Sequence, residues 1–377
     1  VSRRAVRVAT IAGDGVGPEV VHAAIPAIER AAALEGAHLA WEHLPLGAEH
    51  YLATGETLPQ ATFELLRDHV DAIFVGALGD PRVPGNAHAR DILLGLRFRL
   101  DLYINFRPVK LLHPDLTPLK RATAAAAGAG AAGTLGSTAA AASAASAAPA
   151  PIDFVIFREN TEGSYLARGT SANVGTADEE QVSHDVHTAP KVARIIRAAF
   201  EWARAHGRTR VTLSDKANAI PAHQLGQRLF REIGAEYPSI EREHRYVDTT
   251  ALELVREPER FQVVVTNNLF GDILSDLGAG LVGGLGLAAS ANLHPGRPGL
   301  FEPVHGSAPD IAGRGIANPM AAALSGALML ESLGLARAAA ALERAVVATI
   351  AAGVRTRDIG GSATTASVAA TITDAVA

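Results

Sequence analysis

The sequence predicts an α/β protein. Short runs of apolar and β-branched residues alternate with longer stretches whose apolar residues recur at helical spacing, and a glycine turn links the first run to the first helix. Residues 6–11 read as a buried strand, followed by the turn Gly13-Asp14-Gly15-Val16-Gly17-Pro18. A helix is expected to begin near Pro18, because proline suits a first helical turn and Glu19 complements the dipole there. Residues 72–75 form a second buried strand. A third, 152–157, leads into Arg158-Glu159-Asn160. The segment 190–206 places Val192, Ile195, Ile196 and Phe200 on one helical face, and 261–266 (FQVVVT) returns to strand. The Ala/Leu-rich stretch 320–351 is expected to form structural helices covering a sheet, with Gly326 and Gly334 as packing or boundary points.

A chain of 377 residues accommodates two or three domain-sized units, or one large two-domain unit. Hydrophobic residues make up 48% and charged residues 19%, which is enough apolar surface for sizeable cores and excludes general disorder. Aromatics contribute only 5%, so those cores are built from Ala, Val, Leu and Ile. The net charge of −5 gives no electrostatic case for nucleic acid or an anionic membrane as partner. With no cysteine there are no disulfides, thiolate metal sites, Fe–S clusters or Cys nucleophiles, which fits a reducing cytosol. The basic start has only a short apolar stretch and no cleavage site, and no run of about 18 apolar residues offers a membrane span. The expectation is a soluble cytoplasmic protein. Residues 122–150 stand apart: 17 of these 29 are Ala and none is charged, so the stretch is expected to be a surface insertion, flexible or weakly helical.

Several residues are candidates for chemistry. Asp272 and Asp276 are four apart and share a helix face, a pairing of hard oxygen ligands suited to Mg²⁺ or Mn²⁺ held together with a substrate's oxygens. Gly271 before them and Leu277-Gly278 after them suggest a confined site, although two solvated carboxylates would have the same spacing. Arg97, Arg99, Arg107 and Arg158 lie near apolar runs, and arginines at strand ends can clamp carboxylates bidentately; each alone is also an ordinary surface ion pair. Lys216 follows an apolar run and is either a base, if desolvated, or a surface lysine. Tyr165 is one of only five tyrosines, and its ordinary reading is packing. The glycine turn matches neither the dinucleotide fingerprint nor the P-loop. Around His305, the run Phe301-Glu-Pro-Val-His-Gly-Ser-Ala-Pro-Asp310 predicts a backbone-rich loop able to wrap a cofactor.

Taken in order, GDGVGPEV (13–20), the Arg97…Arg107 spacing, RENTEG (158–163), DKAN (215–218), NLFGDILSD (268–276), EPVHGSAPDIAG (302–313) and ANP (317–319) resemble the β-decarboxylating dehydrogenases. This family comprises the isopropylmalate, isocitrate, homoisocitrate and tartrate/D-malate dehydrogenases. The resemblance implies their two-domain α/β fold, distinct from the Rossmann fold. A discontinuous cofactor-binding domain would span 1–102 plus 283–377, and a substrate, metal and dimerisation domain 103–282. It also implies a homodimer with a shared active site. Arg97, Arg107 and Arg158 would hold the carboxylates of a 2-hydroxy acid. Asp272 and Asp276, with Asp248 from the partner, would bind Mg²⁺ or Mn²⁺. Lys216 from the partner would take the hydroxyl proton, and Tyr165 would return one to C3.

The same resemblance assigns His305, Gly306, Ser307, Ala308, Asp310, Ile311 and Asn318 to the adenine nucleotide, with 290–292 towards the nicotinamide end. Asp310-Ile311 stands where NADP-using relatives resemble Lys-Tyr, which favours NAD. Leu93 and Leu94 lie one turn before Arg97, where isopropylmalate enzymes also present leucines; an apolar group there disfavours the third carboxylate of isocitrate, and homoisocitrate enzymes carry an Arg where this chain has Leu94. The implied reaction is oxidative decarboxylation of 3-isopropylmalate to 2-ketoisocaproate, a step of leucine biosynthesis. Arg90, Ala219 and the ENTEGSY wording depart from the isopropylmalate pattern, which keeps open D-malate, tartrate or a specialised malate analogue. A non-catalytic subunit of the family is the alternative of another class.

Overall fold

The computed structural model describes residues 4–120 and 152–377; the Ala-rich stretch 122–150 lies outside the described residues. The chain opens β1 (Arg4–Gly13), α1 (Gly17–Ala33), β2 (Ala37–His43), α2 (Ala48–Thr54), α3 (Gln60–Asp68) and β3 (Ala72–Ala77), then α4 (Ala87–Arg99) and β4 (Ile104–Lys110). It continues with β5 (Asp153–Glu159), the hairpin β6 (Gly169–Ala172) and β7 (Glu180–Ser183), α5 (Ala189–Ala205), β8 (Arg210–Asp215), α6 (Gln224–Gly234) and β9 (Glu241–Tyr246). The last part is α7 (Val247–Arg256), β10 (Val263–Thr266), α8 (Asn268–Leu281), β11 (Ala289–Leu293), β12 (Gly299–Pro303), α9 (Met320–Ser332), α10 (Ala336–Ala351) and α11 (Thr365–Ala375).

Ten strands form one sheet in the order β2-β1-β3-β12-β11-β4-β5-β10-β8-β9. The flanks are parallel, whereas β11 runs antiparallel to both β12 and β4, and β4 antiparallel to β5. The five strands on one side of the β11–β4 boundary come from residues 4–77 and 289–303, and the five on the other from 104–266.

Side-chain alternation decides where the site lies. On one face, Val6, Phe74, Phe301, Ala291, Phe106, Phe157 and Val265 join a single core beneath α1, α5 and α9 to α11. On the other face the core is split. Ile11, Ile73, Val75 and Leu300 pack with α3 and α4, whereas Val109, Phe154, Ile156 and Val264 pack with α7 and α8. Between those two covers the same face carries the buried polar residues Ser290, Asn292, Glu302, Asn105, Arg107 and Arg158.

Most expected elements appear near their expected limits. The strand expected at 261–266 starts at Val263 rather than residue 261, because a short 3-10 turn, Pro258–Arg260, runs up to it. The stretch 320–351 is two helices, broken at Gly334 (φ +79°). Gly326 is a packing point, since a Cβ there would lie 2.4 Å from Ile28 Cδ1. The glycine turn is a structural hub. Gly15 has φ +58°, and a Cβ would sit 2.0 Å from the Ser307 carbonyl oxygen, which accepts the Val16 N–H at 2.8 Å. Buried Asp14 accepts from the N–H groups of Ala48 (2.7 Å) and Gly79 (2.8 Å) and from His88 Nε2 (2.7 Å), tying α2 and α4 to the turn. No described helix is long and apolar enough to cross a membrane.

Candidate active site

The cleft floor follows from strand register. Asn292 of β11 pairs with Asn105 of β4, and Asn105 pairs with Arg158 of β5, so three polar side chains stand in a row across the sheet. Asn105 Oδ1 accepts from Arg107 Nε at 2.9 Å, while its Nδ2 donates to Asn292 Oδ1 at 2.8 Å and to Ser290 Oγ at 3.2 Å. Asn292 Nδ2 donates to Glu302 at 3.0 Å, and Glu302 accepts from Arg97 Nη2 at 2.8 Å. Arg97 enters from the last turn of α4, and Arg107 and Arg158 lie within strands. Arg158 thus lies near a strand end, as its sequence context suggests, whereas Arg107 is mid-strand and Arg97 comes from a helix. Arg99 points away, stacks 3.5 Å over the Phe63 ring and stays outside the cleft.

Buried arginines close together are electrostatically expensive. Burial, and then Arg158 beside it, pushes the Arg107 guanidinium down to about 10, and its Nη1 has no hydrogen-bond partner. Arg158 is also lowered by burial. Its Nε donates to Asn268 Oδ1 at 2.8 Å, and its Nη1 donates to Asp272.

Opposite this floor, α8 presents Asp272 and Asp276, one turn apart. Burial would raise the Asp272 carboxyl, but Arg158, the Tyr165 hydroxyl and Arg107 outweigh it and hold it below the ordinary range. Tyr165 OH donates to Asp272 Oδ2 at 2.5 Å, and burial followed by that bond raises the phenol, keeping it protonated. Asp276 is raised, first by burial and also by Asp272. Its nearest cation is Arg107 Nη1 at 3.9 Å. A half-buried carboxylate whose charge is poorly compensated, one turn from another, suits a hard divalent cation. Leu93 and Leu94, four and three residues before Arg97, share its face of α4 and are partly buried.

Lys216 and Asp248 form a separate pair: Lys216 Nζ donates to Asp248 Oδ1 at 2.7 Å, on a largely exposed carboxylate. Among the described residues no hydrogen bond or ion pair joins them to Asp272 or Asp276. The cofactor candidates line a cavity of about 740 Å³, where His305, Gly306, Ala308, Ile311 and Asn318 meet Val16, Val20 and Asp358. His305 Nδ1 donates to the Gly306 carbonyl at 3.0 Å, and burial keeps the imidazole neutral. Its buried Nε2 is left as an acceptor without a partner, so the cavity offers an unfilled polar contact to a ligand. Ser307 and exposed Asp310 lie outside the cavity's lining. Sequence reasoning missed Glu302, Asn105 and Asn268 as partners of the arginines, and Asn292 as the link between Asn105 and Glu302, although strand alternation puts Glu302, Asn105 and Asn292 on the right face. It also missed Asp185, His187 and His223, the one group of three potential ligand atoms among the described residues.

The family model for isocitrate/isopropylmalate dehydrogenases matches residues 7–127 and 133–376. The chain belongs to the isocitrate/isopropylmalate dehydrogenase family. It is an enzyme, a β-decarboxylating dehydrogenase, and it has that family's α/β fold. Between residues 7 and 376 the match skips only 128–132, a shorter break than the 122–150 that composition sets apart. A 3-isopropylmalate dehydrogenase from Thermobifida fusca is 44% identical over 348 residues, covering 92% of this chain and 91% of the relative. One from Streptomyces griseus is 42% identical, covering 92% and 93%. Among solved structures, isocitrate dehydrogenase from Methylococcus capsulatus superposes with a TM-score of 0.83 at 37% identity, covering 98% of this chain and 99% of that one. A β-decarboxylating dehydrogenase from Thermococcus kodakarensis gives 0.76 at 32%, covering 98% and 96%.

Proposed function

We infer that this dehydrogenase oxidises and decarboxylates 3-isopropylmalate to 2-ketoisocaproate, the leucine-biosynthetic reaction, with NAD and a divalent cation. The observation that carries the reading is the leucine pair on the Arg97 face of α4, in a chain whose relatives, matched over nine-tenths of their length, are named 3-isopropylmalate dehydrogenases. Bound together, Mg²⁺ or Mn²⁺ supplies Lewis acidity for hydroxyl ionisation and for the enolate left by CO₂ loss, and NAD supplies the hydride acceptor.

The chain's own residues do the rest. Arg97, Arg107 and Arg158 bind and orient the substrate carboxylates, and the partnerless Arg107 Nη1 is a donor waiting for one. Asp272 and Asp276 hold the cation, joined by Asp248 from a second copy of the chain. Lys216 from that copy takes the C2 hydroxyl proton, and Tyr165, still protonated at neutral pH, delivers one to C3. His305, Gly306, Ser307, Ala308, Ile311 and Asn318 hold the adenine nucleotide, and Asp310 accepts from the ribose hydroxyls and repels a 2′-phosphate.

A shared site in a homodimer, with each subunit divided at the β11–β4 boundary, is part of this reading. It is supported by the separation of Lys216 and Asp248 from the α8 carboxylates within one chain. It is supported too by an apolar face on α7 and α8, where Leu252, Val255, Leu269 and Ile273 are 55%, 44%, 41% and 57% exposed. The test is NADH formation with Mn²⁺ on 3-isopropylmalate, D-malate, tartrate, isocitrate and homoisocitrate. Preference for D-malate or tartrate would mean that exposed Arg90 and Ala219 outweigh the leucines, and this substrate assignment would fall.

A further inference from the structure

Outside the cleft, His223 ends the short turn Pro221–His223 and has a side chain only 3% exposed. Three segments converge on its ring. Its Nδ1 accepts the backbone N–H of Lys216 at 3.2 Å, and its Nε2 lies 3.0 Å from Asp185 Oδ2. Phe270, in the first turn of α8, stands edge-on at 5.4 Å, and His187 does so at 5.1 Å. Asn267, which caps α8 by accepting the Phe270 N–H at 2.9 Å, brings its Nδ2 to 3.2 Å from Nε2.

The tautomer is determined by these contacts. A nitrogen that accepts a backbone N–H carries no hydrogen, so the single proton of neutral imidazole is on Nε2, aimed at the Asp185 carboxylate. Burial lowers the His223 pKa and keeps the ring in that neutral form. The same assignment argues against the metal site that Asp185, His187 and His223 suggest. A cation on Nε2 would need the hydrogen on Nδ1, where it would collide with the Lys216 N–H. The Lys216 carbonyl is also engaged, accepting the N–H groups of Ala219 (3.0 Å) and Ile220 (2.8 Å). Both backbone groups of Lys216 are therefore held while its Nζ reaches Asp248.

We propose that His223, with its tautomer set by Asp185, is a positioning residue that fixes the backbone of Lys216 and so aims its amine for catalysis. This rests on the reading of Lys216 as the base. Because Phe270 stands edge-on to the same ring, His223 also ties that base to the N-terminus of the helix carrying Asp272 and Asp276.

Three variants of the full-length enzyme separate the possibilities. Lys216→Ala, assayed first, should lose activity by about 10²- to 10⁴-fold. His223→Leu removes the acceptor and should lower kcat by about ten- to a hundredfold with KM for the hydroxy acid within about twofold, as expected of a misplaced group that does not bind substrate. His223→Asn puts Oδ1 near the position of Nδ1 and should recover most of that kcat, a rescue that ring packing alone would not give. Equal losses in the Leu and Asn variants would overturn the inference, and the Asn variant decides it even if the Leu variant fails to fold. An inactive Lys216→Ala beside a fully active His223→Leu would refute the positioning role alone. A fully active Lys216→Ala would refute the base assignment beneath it. Stoichiometric Zn²⁺ binding by dialysed wild type, absent in His223→Leu, would also overturn it.

Discussion

Gly271 is the tightest constraint on the cleft. A Cβ there would lie 2.5 Å from both Cβ and Cγ of Arg158 and 3.0 Å from its Cδ. These are stem atoms of a side chain that is 1% exposed and fixed at its head by Asn268 and Asp272, so the arginine has no rotamer into which to retreat. Replacing Gly271 with Ala must therefore either lift α8 from β5 or push the guanidinium along its axis. Overpacking of this kind costs about 1–3 kcal/mol. Where the strain falls on Arg158, the loss reads as about a 5- to 150-fold fall in kcat/KM for the hydroxy acid. Where it falls on the helix contact, it appears as a lower Tm. Steady-state kinetics and thermal unfolding, measured together, capture both. Gly280, near the end of the same helix, is the control: no atom lies within 4 Å of its Cβ, so Gly280→Ala should be neutral or slightly stabilising. Wild-type kinetics and wild-type Tm for Gly271→Ala would refute the reasoning, because the helix–strand gap would then have room that the geometry denies it.

Three further predictions concern other charged groups. Glu302→Gln leaves buried Arg97 without its counter-charge and should destabilise the fold by about 3 kcal/mol, read as a lower denaturant midpoint; an unchanged midpoint would mean that the pair is not desolvated. Asp101 receives both Nη atoms of Arg194 at 2.7 Å, and although burial opposes it, this pairing holds its carboxyl below the ordinary 3.8. Its stabilising contribution is therefore complete above that value and is lost as pH falls through the lower folded value. Asp101→Asn, which tolerates the positive φ of 51°, should cost about 1 kcal/mol at neutral pH, and the difference from wild type should close in strong acid. A gap independent of pH would refute it. On the proposed reading of Asp310 as a ribose contact, Asp310→Ala should raise NADP use relative to NAD about tenfold, as expected if it removes roughly 1.4 kcal/mol of repulsion at the 2′-phosphate; unchanged selectivity would move the discrimination elsewhere.

What was legible in the sequence was mostly local. The helix start at Pro18, the break at Gly334, the one-turn spacing of Asp272 and Asp276 and the confinement around Gly271 all depend on residues within a few positions of one another. The partners of the arginines do not. Arg97 meets Glu302 across 205 positions, and Asn105 meets Asn292 across 187. Alternation tells which face a strand residue occupies, but only the sheet order tells which strands are neighbours, and here the order brings β12, β11, β4 and β5 together from distant parts of the chain. His223 is a similar case. Its role depends on meeting Asp185 and Lys216 in space, and a histidine in a Pro-Ala-His turn carries no local mark of that.

The split core explains why the site is where it is. A continuous helical layer on the second face would have sealed Arg107 and Arg158 under apolar cover, where neither guanidinium could be satisfied. The gap between the α3/α4 and α7/α8 covers instead leaves one edge open to a ligand, and the cost of gathering these cations is lowered only partly by Glu302, Asn105 and Asp272. The remaining deficit is visible in the depressed Arg107 and its partnerless Nη1. A dianionic hydroxy acid would relieve that deficit while a cation offsets the opposite one at Asp276. On the proposed reading, the floor and α8 are complementary halves of an arrangement in which the substrate's carboxylates and hydroxyl oxygen would complete two sets of charges that the protein alone leaves unbalanced.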